Sequence, residues 1–373
     1  MIWVFFILHM NSKIAIPCHW NKELLEKIVQ INEQFSDTKV VEVYGALSNG
    51  PVKHGRIPSS VIDINREDAI NFRNFVREKE MKFVYLLNAP FTFKDCDLEE
   101  TKNYLHWIIN IFKADALMVT SHDLMKFIRL NYSLDIPIYI STIAGIKSAK
   151  EISNFLDINP KRVVPHHDVN RNFNDLQELI KKTKEWDMEI ELMATESCLR
   201  GCPDRKRHYD FLAKGTKDKV FHTVCNKKRI EHPAEFLKSN FIRPEDLSLY
   251  EKMGIKFFKI TGRSKEAGWL PEVVEAYLRK NYKGNLIRLL GIDPSLNAEK
   301  WIYINNKALD AFLEGFPKNK KGEEAEYCEE WISKLYKNKD FYLKDDSKYA
   351  LKDKTLYCYK FGKIVSSLLG SEL

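Results

Sequence analysis

Three cysteines crowd one short stretch of the chain. Cys198 and Cys202 stand four apart in ATESCLRGCPDRKRHYDF, and Cys225 follows 23 residues after Cys202. A Cys-x3-Cys pair can put two sulfurs on one metal centre if the turn between them is tight, and Gly201 permits such a turn. Thiolates suit zinc and iron–sulfur clusters, which are borderline or soft acceptors. Isolated cysteines are common core residues. Three within 28 residues of polar sequence do not read as a core. The expectation is an iron–sulfur cluster, with zinc as the alternative. A radical S-adenosylmethionine site needs a third cysteine three positions after the second, and that position is Arg205. A cluster also needs a fourth ligand. Cys328, in EEAEYCEEW, is the first choice and Cys18 the second; Cys96 and Cys358 read as structural.

Other groups can do chemistry nearby. His166, His167 and Asp168 follow one apolar run, and His166 with Asp168 suits acid–base work. Neighbouring residues of a strand point to opposite faces, so at most one of the two histidines faces a pocket. Glu196 stands two before Cys198 and can serve as an acid or orient the metal site. Lys259, Thr261 and Arg263 alternate along another run, so they share a face. Arg263 can grip a substrate carboxylate with its fork of donors. Asn88 and Ser141 can orient a substrate by hydrogen bonds. No Gly-x-Ser-x-Gly or His-Glu-x-x-His motif occurs.

These residues need a scaffold, and the sequence supplies a rhythm for one. Eight short runs rich in Val, Ile, Phe and Tyr occur at 13–18, 39–47, 81–88, 114–121, 136–143, 161–167, 189–195 and 255–263. Such runs read as buried strands. Amphipathic stretches lie between them. Asn21 predicts an N-cap for a helix with Leu24, Leu25 and Ile28 on one face, and a second helix is predicted from Leu98 to Phe112. Eight β-then-α units predict a (β/α)8 barrel over residues 12–290, with an open doubly wound sheet as runner-up. The last gap is long and predicts an insertion at 196–250 that carries the cysteines. Residues 1–11 are an apolar extension, with Met10 an alternative start. Residues 291–373 form an appendage, helical near 306–315 and 323–336, that is expected to cover the barrel mouth. In such a barrel the chemistry sits where the strands end, which is where the residues singled out above fall.

Composition limits the classes. The chain has 373 residues, 44% hydrophobic and 30% charged, with 59 Lys and Arg against 52 Asp and Glu for a net charge of +7. That excludes disordered, collagen-like and disulfide-dense chains. Seven cysteines, unevenly spread, give no disulfide framework. No apolar run reaches the roughly 18 residues of a spanning helix, so a cytoplasmic protein without membrane partners is expected. Residues 203–229 hold nine Lys and Arg and three Asp, a net of +6, interleaved with Tyr209, Phe211 and Phe221. Such a segment can meet RNA phosphates and bases, or be a solvated basic face beside anionic thiolates.

From KRVVPHHDVN through the cysteine segment and Cys225 to Lys259, Gly262 and Arg263, the sequence resembles the collagenase-like peptidase family, U32. STIAGIKSA at 141–149 adds to the likeness. The resemblance implies a barrel-like α/β fold and a [4Fe-4S] cluster on four cysteines. Cys198, Cys202 and Cys225 match the first three in order, and the fourth has no match before Cys328. The resemblance further implies oxygen-independent hydroxylation, or a related redox modification, of RNA or a small biosynthetic carboxylate. Other members are proteases, and some work as paired subunits or need an electron donor. The expected roles are therefore His166, Asp168, Glu196 and Arg263 in catalysis, and Cys198, Cys202, Cys225 and Cys328 on the metal.

Overall fold

The structure is a computed structural model. It describes residues 12–373 except 56–61, 91–95, 133–134, 215–223, 226–227, 230, 263–264, 267, 293–297, 318–321, 344–347, 353–354, 361–362 and 365–373; side chains are described to residue 342, apart from 300 and 301.

Eight parallel strands close into a barrel in chain order: β1 Ser12–Pro17, β2 Thr38–Gly45, β3 Lys82–Leu87, β4 Ala116–Val119, β5 Ile138–Ile140, β6 Arg162–Val163, β7 Glu189–Met193 and β8 Phe257–Lys259. β1 pairs with both β2 and β8, which closes the ring. Each strand overlaps one predicted run, with β1 and β2 starting one residue ahead of theirs, so the (β/α)8 expectation holds and the open sheet falls away. From β2 on the strands are shorter than the runs, because the run ends leave the ladder to form the rim.

The helices alternate with the strands and start where the sequence supplies caps. Asn21 accepts from the Leu24 amide and opens α1 Lys22–Glu33. Asn65, Asp97 and Ser121 do the same for α2 Arg66–Glu78, α3 Leu98–His106 and α4 His122–Asn131. Each cap satisfies a first-turn amide that has no partner within the helix. Ser148 and Glu151 form a reciprocal capping box on α5 Ala149–Ser153. α6 is Phe173–Glu185. The predicted helix to Phe112 changes to a π-turn at Trp107–Ile111. That turn brings Trp107 and Phe112 against Tyr85, at ring centroid distances of 6.2 and 5.3 Å.

The inside of the barrel is charged at one level. Arg162 on β6 donates both terminal nitrogens to Glu42 on β2, at 2.6 and 3.0 Å. Those strands are not neighbours, so the pair spans the lumen. The guanidinium also sits 3.6 Å from the centroid of the Phe257 ring. Glu191 and Lys259 lie near it, their charged atoms 4.0 Å apart.

Between β7 and β8 the chain makes the predicted insertion. It contains α7 Arg205–Lys214, α8 Ala234–Lys238 and α9 Leu247–Met253. After β8 come α10 Trp269–Leu278, α11 Leu286–Leu289 and α12 Ala298–Trp301. The helix predicted near 306–315 is only a 3-10 turn at Asn306–Leu309. Ala311 is in the left-handed region (φ 69°), which an α-helix does not tolerate. Leu309, Phe312, Leu313 and Phe316 are still buried, so the periodicity reported burial rather than a helix. The second predicted helix is α13 Glu323–Lys337. It packs on α8 of the insertion. Strand β9 Ile302–Ile304 pairs with β10 Phe341–Leu343, and β11 Lys348–Lys352, β12 Thr355–Lys360 and β13 Lys363–Ile364 make a small antiparallel sheet that the sequence reading did not foresee. Among the described residues no helix is long and apolar enough to cross a membrane.

Candidate metal centre

The end of β7 is pinned before the cysteines begin. Thr195 is buried, and its hydroxyl pairs with the Thr261 hydroxyl at 2.8 Å and accepts from the Thr261 amide at 2.8 Å. Its carbonyl accepts from the Gly291 amide at 2.8 Å. A side chain at Gly291 would meet Thr261 Oγ1 at 2.5 Å, so the close approach requires glycine.

Glu196 then turns the chain. One carboxylate oxygen accepts from the amides of Ser197 and Cys198 at 2.9 and 2.8 Å, and the other accepts from Arg205 at 3.1 Å. Burial alone would raise this carboxyl, but Arg205 and the Cys198 amide outweigh it and hold it well below the usual carboxylate range. It is therefore an ionised anchor for the loop and not a proton donor at neutral pH.

The Cys198–Cys202 loop is tied down from three sides. Gly201 is in the left-handed region (φ 61°), and its amide donates to Asp168 at 3.2 Å. Arg200 donates to Asn240 at 2.6 Å and to Glu324 on α13 at 2.8 Å. Arg229 donates to the Ser197 carbonyl. Arg205, from the first turn of α7, also contacts the Cys198 sulfur.

Cys198, Cys202 and Cys225 all line one cavity of about 170 Å³, with Glu196, Arg205, His208, Tyr209, Leu212 and Arg229 around them. Tyr44, Asn88, Lys259 and Thr261 from the barrel line the same cavity. The Lys259 ammonium sits 3.7 Å from the centroid of the Tyr44 ring. Burial pushes the Cys198 thiol up to about 12, against the pull of Arg205. Burial also pushes Cys225 up, against Arg229. Buried thiols with raised pKa values are poor nucleophiles. A coordinating metal ion removes the proton outright, so this donor set fits a soft metal centre.

The other expected site residues fall in different places. His166 and Asp168 do not line the cavity; they stand behind the cysteine loop. Asp168 accepts from Gly201 and from Asn240 (3.0 Å), with the Lys147 ammonium at 3.5 Å. The two histidine rings stack at 4.2 Å, and His167 lies 3.4 Å from Arg205. Burial lowers His166 to about 4 and His167 to about 3. Both are neutral at pH 7, so the group braces the loop. The donor atoms of His166, His167 and Asp168 lie within 4.8 Å of one another. Asp168 is already held by two donors and faces an ammonium, which disfavours a cation there. Asn88 does line the cavity, and it donates to Ser141 behind it at 3.3 Å. Arg263 lies outside the described residues.

Cys328 does not line this cavity. It is buried in α13, where Arg171, Lys238, Arg200 and Glu324 are the charges that act on it. Cys18 is buried at the end of β1 beside Gly45, where its sulfur accepts from the Trp20 amide at 3.4 Å. Cys96 sits by the Pro51 carbonyl, and the side chain of Cys358 lies outside the description. None of the six described cysteines is in a disulfide. Sequence reasoning did not assign Arg205, His208 or Arg229 to the site. One signal was available: Arg205, His208, Tyr209 and Leu212 are spaced i, i+3, i+4 and i+7, which is one face of a helix.

The model of peptidase family U32 matches residues 42–322. An uncharacterized protease of Methanocaldococcus jannaschii is 27% identical over 285 residues, covering 74% of this chain and 83% of that protein. Among solved structures, the U32 peptidase Mk0906 aligns with a TM-score of 0.48 at 9% identity, over 67% of this chain and 93% of its own. The citrate synthase SbnG aligns with a TM-score of 0.36 at 9% identity, over 72% and 93%.

Proposed function

The chain belongs to peptidase family U32, and from that premise we propose that it is a cytoplasmic iron–sulfur protein that carries out oxygen-independent hydroxylation, or a related redox modification, of a small anionic substrate or an RNA base. The observation that carries this reading is the convergence of Cys198, Cys202 and Cys225 on one cavity whose other wall is the barrel mouth. A [4Fe-4S] cluster held there would supply one-electron chemistry beside that wall.

The chain's own residues divide the remaining tasks. Arg205 and Arg229 set positive charge beside the thiolates and offset the negative charge of a thiolate-ligated cluster. Glu196 and Asp168 hold the backbone of the cysteine loop. Lys259 and Asn88 face the cavity from the barrel and suit a substrate carboxylate or carbonyl.

Hydrolysis is less well supported. A cysteine nucleophile needs a lowered pKa and a base beside it. Cys198 is instead pushed up to about 12, and its neighbours are Arg205 and Glu196, both engaged with each other. Thiols that stay reduced also suit a reducing compartment.

The test is a redox titration of anaerobically reconstituted protein alongside a peptide-cleavage assay. Reversible bleaching of a visible thiolate-to-iron band, with no cleavage of denatured collagen or casein, is expected. Cleavage that persists after the metal is stripped would overturn the reading.

A further inference from the structure

The cavity holds three thiols, and every other described cysteine is elsewhere. Cys328 lies in α13 beside Arg171, Cys18 under Gly45 and Cys96 beside Pro51. Among the described residues the fourth donor must therefore be of a different residue type. Of the described residues lining the cavity, one carries an imidazole, His208.

Its placement follows from α7. Arg205 opens that helix and touches the Cys198 sulfur. His208 is one turn on, so its side chain leaves the same face. Tyr209 and Leu212 continue that face, and all four line the cavity. The one carboxylate among the described lining residues is Glu196, and its two oxygens take two amides and Arg205. Imidazole is an accepted iron ligand, and histidine replaces cysteine on iron in some clusters, where it raises the potential.

The spread of the donors matters as well. A single zinc with ligands at about 2.0 to 2.3 Å would draw its donors to within about 4 Å of one another. Among the described residues, no three of these four donors lie within 4.8 Å of one another. A four-iron cube binds each ligand to a different iron and so spaces them more widely.

We propose that His208 is the fourth ligand, giving a Cys198, Cys202, Cys225 and His208 set around a [4Fe-4S] cluster. This rests on the iron–sulfur reading above. It replaces a remote cysteine with a residue six positions from Cys202. It also leaves the centre one negative charge less than a four-thiolate set.

The experiment compares reconstituted wild type with His208→Ala, His208→Cys and Cys328→Ala by iron and sulfide content, midpoint potential and pulsed EPR of the reduced cluster. Wild type is expected to show a strongly coupled nitrogen-14 signal from a bound imidazole. That signal should vanish in His208→Ala and His208→Cys and persist in Cys328→Ala. His208→Cys should keep about four irons per chain at a lower potential, which shows that the fold survives. A cluster-bearing wild type without nitrogen coupling, or a coupling that persists in His208→Cys, would overturn the ligand assignment alone. A wild type that binds no iron would overturn the iron–sulfur reading and this assignment with it.

Discussion

Cys198 shows how little a residue's identity says without its surroundings. Its thiol is half-buried, raised to about 12, and touched by an arginine that Glu196 holds in place. That is an inert thiol or a metal ligand, and the convergence of Cys202 and Cys225 on the same cavity favours the ligand. His166 shows the converse. By position it read as an acid or base, but the structure packs it against His167 and Asp168 behind the loop. Burial lowers its pKa from 6.5 to about 4. The sign follows from linkage. The unfolded chain takes up the proton first as pH falls, so stability present above pH 6.5 is lost between about 6.5 and 4, at up to about 1.4 kcal/mol per pH unit for one such group. His166→Asn should flatten the fall of urea-unfolding free energy over that window relative to wild type. An unchanged slope would show that the ring titrates normally in the folded protein.

Among the elements, the eight strands and their order were legible because fully buried parallel strands must be near-continuous apolar runs. The insertion was legible as the one long gap between runs. Its internal geometry was not, because a helix such as α7 with four Lys and Arg in ten residues carries little apolar periodicity. Arg205 and His208 therefore escaped notice although they share a face. The lumen pair was also hidden. Arg162 and Glu42 are 120 positions apart, and nothing local marks them as partners. Arg162→Met should remove about 3 to 5 kcal/mol of stability, because it strands a buried carboxylate. Arg162→Lys should recover only part of that, since an ammonium cannot reproduce the two-pronged contact. Urea unfolding of the three proteins decides this; a loss below about 1 kcal/mol for the methionine variant would mean that Glu42 is protonated or hydrated instead.

At the scale of the whole molecule, the barrel supplies one wall of the cavity and the insertion supplies the three cysteines that line it. α13 of the appendage packs on the insertion and reaches the cysteine loop through Glu324 and Arg200. No local pattern chooses a fourth ligand among scattered cysteines, because 130 residues separate Cys198 from Cys328 and the choice depends on how the appendage folds back. Of the basic residues in 203–229, Arg205 and Arg229 line the cavity, which puts positive charge where an anionic substrate would be held. Substrate choice, and any partner subunit or electron donor, would be read at this mouth. The most direct test of the central claim is the iron and sulfide content of protein purified without oxygen, measured beside Cys198→Ala. The account predicts about four irons and four sulfides per chain in the wild type and a colourless Cys198→Ala protein that keeps its helical circular dichroism. A wild-type protein that carries only zinc, or no metal, would contradict it.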